Sequence, residues 1–491
     1  MNKNFKVRSV KYNLLMNIIL KISGIIFPLI TFPYVSRVLL SEANGKIAFA
    51  ASVVSYFSLL ASLGIPSYGI RKCAEVRDDE EQLSKVVTEL LILNSICTVV
   101  SYLVFIVLIL TVPQFSNEFL LFSISSLTIL FNMLGVEWFY QAIEQYQYIT
   151  VRNITFKIIS ILLMFLLVHN PSDYIVYAGI NVLASVGSNL LNALRLPNYV
   201  KFGIANQKYN LSIHLLPILT LFLYNATTII FTSLDQVMLG FMKGNVEVGY
   251  YATSIKVQNI LVSFITALGA VMLPKISYSL KNEGMEHFDR MIRKSFEFIL
   301  VSAIPICFLI LLLAKEIILI LAGEDYLPAV PILQFLAPSL IFIGLSSVTA
   351  WQLLIPLGKQ RYTVIGALAG MIVNLCINFL AIPVYGGVGA AFASSLAECA
   401  VLLVHFRVLK EIINRTFEMK EFMISLLSTF VASAILLVTK YFFAINVVLL
   451  AAVVYSMIFL IVYIVMLILC RERLMSEVLQ NVRVRMNKRG I

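Results

Sequence analysis

The chain has 491 residues, a formal net charge of +11, 60% hydrophobic residues and 13% charged residues, with a mean hydropathy of +0.92. Soluble domains carry about 25% charged residues, so this composition excludes a water-soluble globular protein. The excess Lys and Arg is scattered over short loops rather than gathered in an aromatic-interleaved basic domain, which argues against nucleic acid and for anionic lipid headgroups as a partner.

Lys3, Lys6, Arg8 and Lys11 precede the first apolar block in the manner of a secretory leader. The block is too long for one and no A-x-A site closes it, so it reads as a retained first span. Apolar blocks of about twenty residues, enough to cross roughly 30 Å of hydrocarbon, then recur along the chain. They predict spans near 12–34, 46–67, 86–111, 118–140, 153–169 and 173–195 in the first half. Eight more are predicted near 211–240, 250–273, 296–321, 329–352, 363–383, 388–408, 421–439 and 445–469. The expected fold class is all-α, a polytopic integral membrane protein of about fourteen transmembrane helices.

The positive-inside rule tests this division independently. With the N-terminus in the cytosol, 29 of the 37 Lys and Arg residues fall in cytosolic segments, and only Arg37, Lys46, Lys243, Lys315 and Lys440 lie outside. A missed or invented span would invert the pattern downstream of the error. The bias instead holds to the tail, with Arg471, Arg473, Arg483, Arg485, Lys488 and Arg489, so the span number is even and both termini are expected in the cytosol.

The two halves resemble each other. Val38 to Pro66, with Gly45-x-x-Ala48 and Leu63-Gly64, is similar to Val237 to Pro274, with Gly249-x-x-Ala252 and Leu268-Gly269. Thr150-Val151 after Gln145-x-Gln147 likewise has a counterpart in Gln360-x-x-Thr363-Val364. A duplicated six-helix unit is implied, both copies entering the membrane in the same sense, as in transporters built from parallel repeats. The expected organisation is an N-terminal six-helix lobe over 1–205, a C-terminal six-helix lobe over 206–415, helices 13 and 14 in 416–470, and a basic cytosolic tail over 471–491.

Chemistry-bearing motifs are sparse. The chain contains no Walker A loop, GxSxG elbow or HExxH, and Gly387-Val388-Gly389 lacks the third glycine of a dinucleotide site. Cys73, Cys97, Cys307, Cys376, Cys399 and Cys470 show no CxxC spacing, so neither zinc nor a disulfide framework is expected. Loops are too short for a catalytic domain, the longest lying near 275–294. No catalytic residue, metal or resident cofactor is therefore expected; coupling to H+ or Na+ is.

Ionisable residues inside spans cost about 2.5–3.5 kcal/mol each at mid-bilayer and should face protein or water. Lys21 and Glu398 fall near mid-depth of spans 1 and 12, and Lys256 about six residues into span 8. A cation in a low-dielectric cavity suits a pyrophosphate-bearing substrate, and a buried carboxylate suits a coupling ion. A buried ion pair or hydrogen-bonded link between helices is the structural alternative for both. Arg37 and Asp235, at corresponding outer ends of spans 1 and 7, read equally as a gate, a headgroup contact or ordinary interfacial residues. Glu89, Glu137, Lys157 and Glu297 lie near cytosolic ends, where snorkelling to water explains them. Gly24, Pro28 and Pro33 break span 1 and Pro217 enters span 7, which fits either hinges or tolerated kinks. The aromatic run Trp138, Phe139, Tyr140, Tyr146 and Tyr148 reads as an interfacial belt, and Gly366 to Gly370 as a GxxxG packing motif.

Leu29-Ile30-Thr31-Phe32-Pro33-Tyr34-Val35-Ser36-Arg37-Val38-Leu39, Glu137-Trp138-Phe139-Tyr140-Gln141-Ala142-Ile143-Glu144, Leu234-Asp235-Gln236-Val237-Met238-Leu239-Gly240 with Val248-Gly249-Tyr250-Tyr251, and Leu354-Ile355-Pro356-Leu357-Gly358-Lys359 together resemble Wzx-type oligosaccharide flippases. The resemblance covers about residues 10–410. It implies the fold of the multidrug/oligosaccharidyl-lipid/polysaccharide exporter superfamily, two six-helix lobes around a cavity. The implied cargo is an undecaprenyl-pyrophosphate-linked oligosaccharide repeat unit, turned from the cytosolic to the outer leaflet of a bacterial plasma membrane for capsule or O-antigen assembly. Members have a cationic cavity, which Lys21, Arg37 and Lys256 could supply here, with Asp235 or Glu398 in ion coupling or gating. A polysaccharide polymerase and other assembly proteins are possible partners. A cation-coupled drug exporter of the same superfamily and an integral membrane polymerase are the rival readings.

Overall fold

The computed structural model describes residues 8–203, 209–477 and 480, without the side chains at 10, 224, 225, 228, 231, 267–271, 273, 274, 277 and 280–282. Lys3, Lys6, Arg483, Arg485, Lys488 and Arg489 lie outside the described residues. Among the described residues the regular structure is entirely helical. The chain divides into two compact units, Met1–Gly249 and Tyr250–Ile491.

The first unit opens with α1 (Val10–Ser62), whose N-cap Ser9 accepts a hydrogen bond from the Tyr12 N–H. Pro28 and Pro33 sit inside it, and its backbone leaves helical geometry at Leu40 (φ 62°, ψ 178°). Leu63 and Gly64 are both left-handed and turn the chain into α2 (Ile65–Glu75). Glycine is required at 64 on a second count: a Cβ there would lie 2.7 Å from the Ile218 carbonyl oxygen. Asp79 caps α3 (Glu80–Thr111) by accepting from the N–H groups of Glu81 and Gln82, with Glu80 and Glu81 in the positive first turn. There follow α4 (Pro113–Ser116), α5 (Phe119–Gly135), α6 (Glu137–Ala142), α7 (Tyr146–Leu167) and α8 (Tyr174–Val182). A π-helical turn over Leu183–Gly187 joins α8 to α9 (Asn189–Arg195). The unit ends with α10 (Ser212–Met242) and the start of α11 (Asn245–Asn282). The long helix α1 is its spine, packing on α3, α5, α7 and α10.

The second unit holds the rest of α11, then α12 (Met285–Leu321), α13 (Ala329–Leu336), α14 (Ser339–Ser347), α15 (Arg361–Tyr385), α16 (Gly387–Val408), α17 (Lys410–Thr416), α18 (Met419–Phe442) and α19 (Val448–Leu469). Helix α15 lies along α16, and α18 pairs with α19 and with α12. Gly366 is buried against the His405 ring, so the small residue permits the close approach of α15 and α16.

Eleven helical stretches among the described residues are long and apolar enough to cross a membrane. Expected spans 1 and 2 form one 65-residue stretch, Lys11–Glu75. Expected spans 7 and 8 fall on α10 and α11, parts of whose side chains are not described. Leu110, Leu216, Leu380 and Leu469 are 66–77% exposed, an arrangement only a lipid solvent stabilises. The protein is an all-α polytopic membrane protein.

The aromatic run differs from expectation. Trp138, Phe139 and Tyr140 are 5%, 0% and 0% exposed and form a core with Leu83, Val87 and Ile149 instead of an outward-facing belt. The Trp138 ring lies against Gly69 of α2, and the Tyr140 hydroxyl donates to the Asn192 carbonyl at 2.9 Å. The positive φ at Val136 (34°) turns the chain at the end of α5 and folds the run inward.

Candidate functional site

Within the first unit the helices enclose a chamber of about 720 Å³, inside the range of about 300–1,000 Å³ typical of ligand pockets. Its polar wall is drawn from several helices: Ser55 and Ser58 on α1, Asn94 and Thr98 on α3, Asn132 on α5 and Asn181 on α8. Small hydroxyl residues are tolerated in such helices because they bond back to their own turn, as Ser55 does to the Ser52 carbonyl at 2.7 Å. Thr98, 1% exposed, is different: its Oγ1 has no hydrogen-bond partner, nor has the Ser58 hydroxyl. Buried polar groups are normally paired, and these two hydroxyls stand unpaired beside the chamber.

Among the described lining residues, Glu137 is the single ionisable side chain of the chamber. It accepts from Arg152 Nη2 at 2.9 Å and from Gln141 Nε2 at 3.3 Å. Arg152 is 2% exposed at its side chain, and its Nε and Nη1 lack partners. Its guanidinium lies 5.6 Å from the centre of the Tyr148 ring, which Arg195 also approaches at 4.1 Å. The chamber is thus lined by neutral hydrogen-bonding groups with one neutralised carboxylate, a surface suited to sugar hydroxyls rather than to a cation.

A smaller annex of about 250 Å³ adjoins it, sharing Asn181 and Ser185 as common wall. Ser185 belongs to the π-helical turn, a distortion often found at functional sites. Gly24 and Pro28 of α1 also line the annex. Pro28 has no N–H, so the Gly24 carbonyl lacks its helical partner. A Cβ at Gly24 would meet nothing within 4 Å. From α7 comes Lys157, whose Nζ donates to Ser23 Oγ at 3.1 Å.

The sequence places Lys157 near the end of a span beginning at 153, but α7 begins at Tyr146 and puts it halfway along a 22-residue helix. Glu89 does not snorkel either. It is 1% exposed, its Oε2 lies 2.8 Å from His214 Nε2, and its Oε1 accepts the Asn210 N–H at 2.7 Å.

The other sequence-predicted residues lie as follows. Lys21 is exposed on α1 with no hydrogen bond or ion pair among the described residues. Arg37 is exposed and its Nη1 donates to the Pro33 carbonyl at 2.9 Å. Asp235 is 3% exposed on α10, beside Ser233 and Gln236, which bond Ser55 and Ser52 of α1. None of these three is among the described residues lining the chamber or the annex. In the second unit, Lys256 is exposed on α11, and Glu398 is half-buried on α16 with no hydrogen bond or ion pair among the described residues. Sequence reasoning missed the hydroxyl-rich chamber, whose only signal was a recurrence of Ser, Thr and Asn in apolar helices.

Over 407 residues the chain is 24% identical to a Shigella dysenteriae protein named "Putative O-antigen transporter", covering 82% of this chain and 100% of the relative. The Escherichia coli (strain K12) protein of the same name is 21% identical, over 80% and 95%. Among solved structures, the lipid II flippase MurJ in an inward closed conformation matches with a TM-score of 0.70 at 19% identity, over 93% of this chain and 99% of the flippase. An inward-facing multidrug resistance MATE family transporter of the MOP superfamily reaches 0.60 at 14% identity, over 82% and 98%. These two likenesses establish a shared fold. The model of the polysaccharide biosynthesis protein family matches residues 10–280, more than half of the sequence, and the chain belongs to that family.

Proposed function

We infer that this protein is a flippase that moves lipid-linked oligosaccharide across the membrane for polysaccharide biosynthesis. The carrying observation is the family match over residues 10–280 on a fold shared with the lipid II flippase. The relatives named as O-antigen transporters and a chamber walled by neutral hydroxyls and amides support it. The transporter reading, rather than an enzyme, rests on the same relatives.

The cargo is an undecaprenyl-pyrophosphate-linked repeat unit, carried from the cytosolic to the outer leaflet of a bacterial plasma membrane by alternating access, with both termini cytosolic. The exposed cations Lys21, Arg37 and Lys256 draw the pyrophosphate along its route. Asp235 and Glu398 serve ion coupling or gating, with H+ or Na+ as the coupling ion. Anionic lipids hold the basic loops, and a polysaccharide polymerase receives the product.

Deletion of the gene tests the reading. Loss of a flippase leaves lipid-linked repeat units facing the cytosol and removes the surface polymer, whereas loss of a polymerase leaves single units on the outer surface. Resistance to cationic dyes conferred by expression, with surface polysaccharide intact in the deletion strain, would replace the flippase reading with a drug exporter. Within it, Lys21→Ala is expected to abolish complementation at normal protein levels; full retained function removes Lys21 from the route.

A further inference from the structure

Cations of the first unit commonly have carboxylate partners, among them Lys46 with Glu118 at 2.8 Å, Arg77 with Glu144 at 2.7 Å and Arg152 with Glu137 at 2.9 Å. Lys157 has none among the described residues, although it stands at the middle of a helix apolar enough to span the membrane. An ammonium at that depth is costly unless it faces protein polar groups, water or an anion. Its neighbours are neutral: Ser23 Oγ takes one of its three donors, and the Phe27 ring centre lies 5.6 Å from Nζ.

The annex around it is built for a further ligand. Asn153 and Ser160, one turn before and one turn after Lys157 on α7, line the same space. The Ser160 hydroxyl, on a residue 5% exposed, has no hydrogen-bond partner. Thr31 of α1 and Asn181 of α8 complete the polar rim. Two unused ammonium donors, a spare hydroxyl and two amides converge where no anion is supplied by the protein. Across the wall of Asn181 and Ser185 lies the chamber, whose one carboxylate, Glu137, is neutralised by Arg152 and whose Thr98 and Ser58 hydroxyls have no partner.

We propose that Lys157 binds a phosphate group carried on a lipid, in the annex between α1, α7 and α8, with the adjoining chamber taking the sugars attached to that phosphate. This rests on the flippase reading and names where, within the first unit, the charged end of the cargo resides. Charge-assisted hydrogen bonds from an ammonium to phosphate oxygens are the strong contacts of such a site. The neutral amides and hydroxyls next door can follow sugars of varied identity, because each hydroxyl both donates and accepts.

The test uses the full chain in nanodiscs of neutral phosphatidylcholine, titrated with undecaprenyl diphosphate. Wild type is expected to bind, Lys157→Gln to bind on the order of tenfold or more weakly, and Lys157→Arg and Lys410→Gln, at an exposed residue of the second unit, to stay within a few-fold of wild type. Asn132→Leu, at a residue that lines the chamber and not the annex, is expected to weaken binding of a sugar-bearing diphosphate while leaving undecaprenyl diphosphate unchanged. Equal binding by wild type and Lys157→Gln overturns the site. So does displacement of undecaprenyl diphosphate by phosphatidylglycerol at equal mole fraction, because the annex would then be a general phospholipid contact. In cells, Lys157→Gln should fail to restore surface polysaccharide where wild type succeeds, and restoration by the variant overturns the proposal. Failure of wild type itself to restore the polymer counts against the flippase reading, and the binding titration still judges the annex.

Discussion

His214 Nε2 lies 2.8 Å from Glu89 Oε2, with the two side chains 0% and 1% exposed. A carboxylate only accepts, so Nε2–H donates, and in the neutral ring Nδ1 is left to accept the Tyr68 hydroxyl at 2.8 Å. The other oxygen of Glu89 accepts the Asn210 N–H. One glutamate on α3 thereby ties down both the chain leading into α10 and the first turn of α10 itself. Glu89→Ala leaves the buried His214 donor and the Asn210 N–H unpaired and should cost about 3 kcal/mol, read as a lower thermal midpoint of the detergent-solubilised protein. Glu89→Gln, which can still accept at one oxygen, should cost less. Equal midpoints for wild type and Glu89→Ala would remove this latch from the account of stability.

Two glycines of α1 should respond oppositely to alanine. A Cβ at Gly45 would fall on the Asn245 carbonyl oxygen, while Gly24 has open space around it. Backbone cannot yield as a side-chain end can, so Gly45→Ala should destabilise by roughly 1–3 kcal/mol. Gly24→Ala should be neutral or gain up to about 1 kcal/mol from helix propensity. Thermal midpoints of the two variants, measured side by side, check the contrast.

Much of the fold was legible because lipid imposes apolar faces on every spanning helix, and the loss of that pattern marks the loops. Two of the differences share a physical source, a charged residue buried by a partner outside its own helix. The expected span starting at 153 took Arg152 as a loop charge, but Arg152 is inside α7 and neutralised by Glu137, so the helix runs back to Tyr146 and Lys157 moves to its middle. Glu89 reads as a snorkelling residue in the sequence because its partners His214 and Asn210 lie far along the chain, His214 being 125 residues away. The chamber left little sequence trace, since Ser58, Thr98, Asn132 and Asn181 come from four helices at no fixed spacing. Family resemblance pointed to the kind of cargo; it did not point to Lys157.

The Arg152–Glu137 pair should behave as a unit. Arg152→Ala strands a carboxylate at the chamber wall, and Glu137→Ala strands a buried guanidinium that already has two unpartnered nitrogens. Glu137→Ala, which leaves the buried guanidinium, should cost about 3–5 kcal/mol, and Arg152→Ala, which leaves a carboxylate 36% exposed, should cost less. The double variant Glu137→Gln with Arg152→Met should recover much of that loss, because no buried charge remains. Strict additivity of the losses in a thermal denaturation cycle would contradict the pairing.

Stability should also depend on pH through Glu472, beyond the end of α19. This residue is 0% exposed, and burial pushes its carboxyl above the usual value, opposed by the N–H groups of Met475 and Leu474 and reinforced by Glu421 and Glu477. A carboxyl whose folded value is raised favours the fold in its protonated form. Its contribution is therefore full below the unfolded value, near 4.3, and declines as pH rises from there through the folded value. Glu472→Gln should flatten that decline and raise the thermal midpoint at neutral pH relative to wild type. A steeper pH profile in the variant would reverse the sign of this argument.

The spare hydroxyl of Thr98 separates recognition from packing. Thr98→Val keeps the shape of the side chain and removes an oxygen that has no partner in the protein, so folding loses no hydrogen bond and the thermal midpoint should stay within about 0.5 kcal/mol of wild type. If a sugar hydroxyl pairs with that oxygen during transport, the valine variant loses one neutral hydrogen bond worth about 0.5–1.5 kcal/mol, a several-fold reduction in surface polysaccharide at limiting expression. Ser58→Phe acts by volume instead: its ring occupies the chamber and should abolish export while the protein still folds, since the added bulk enters empty space rather than packed core. Full export by Ser58→Phe at normal protein levels would show that the cargo bypasses this chamber. Unchanged export by Thr98→Val with loss in Ser58→Phe would keep the chamber on the route and move recognition to its amide-bearing wall at Asn94, Asn132 and Asn181.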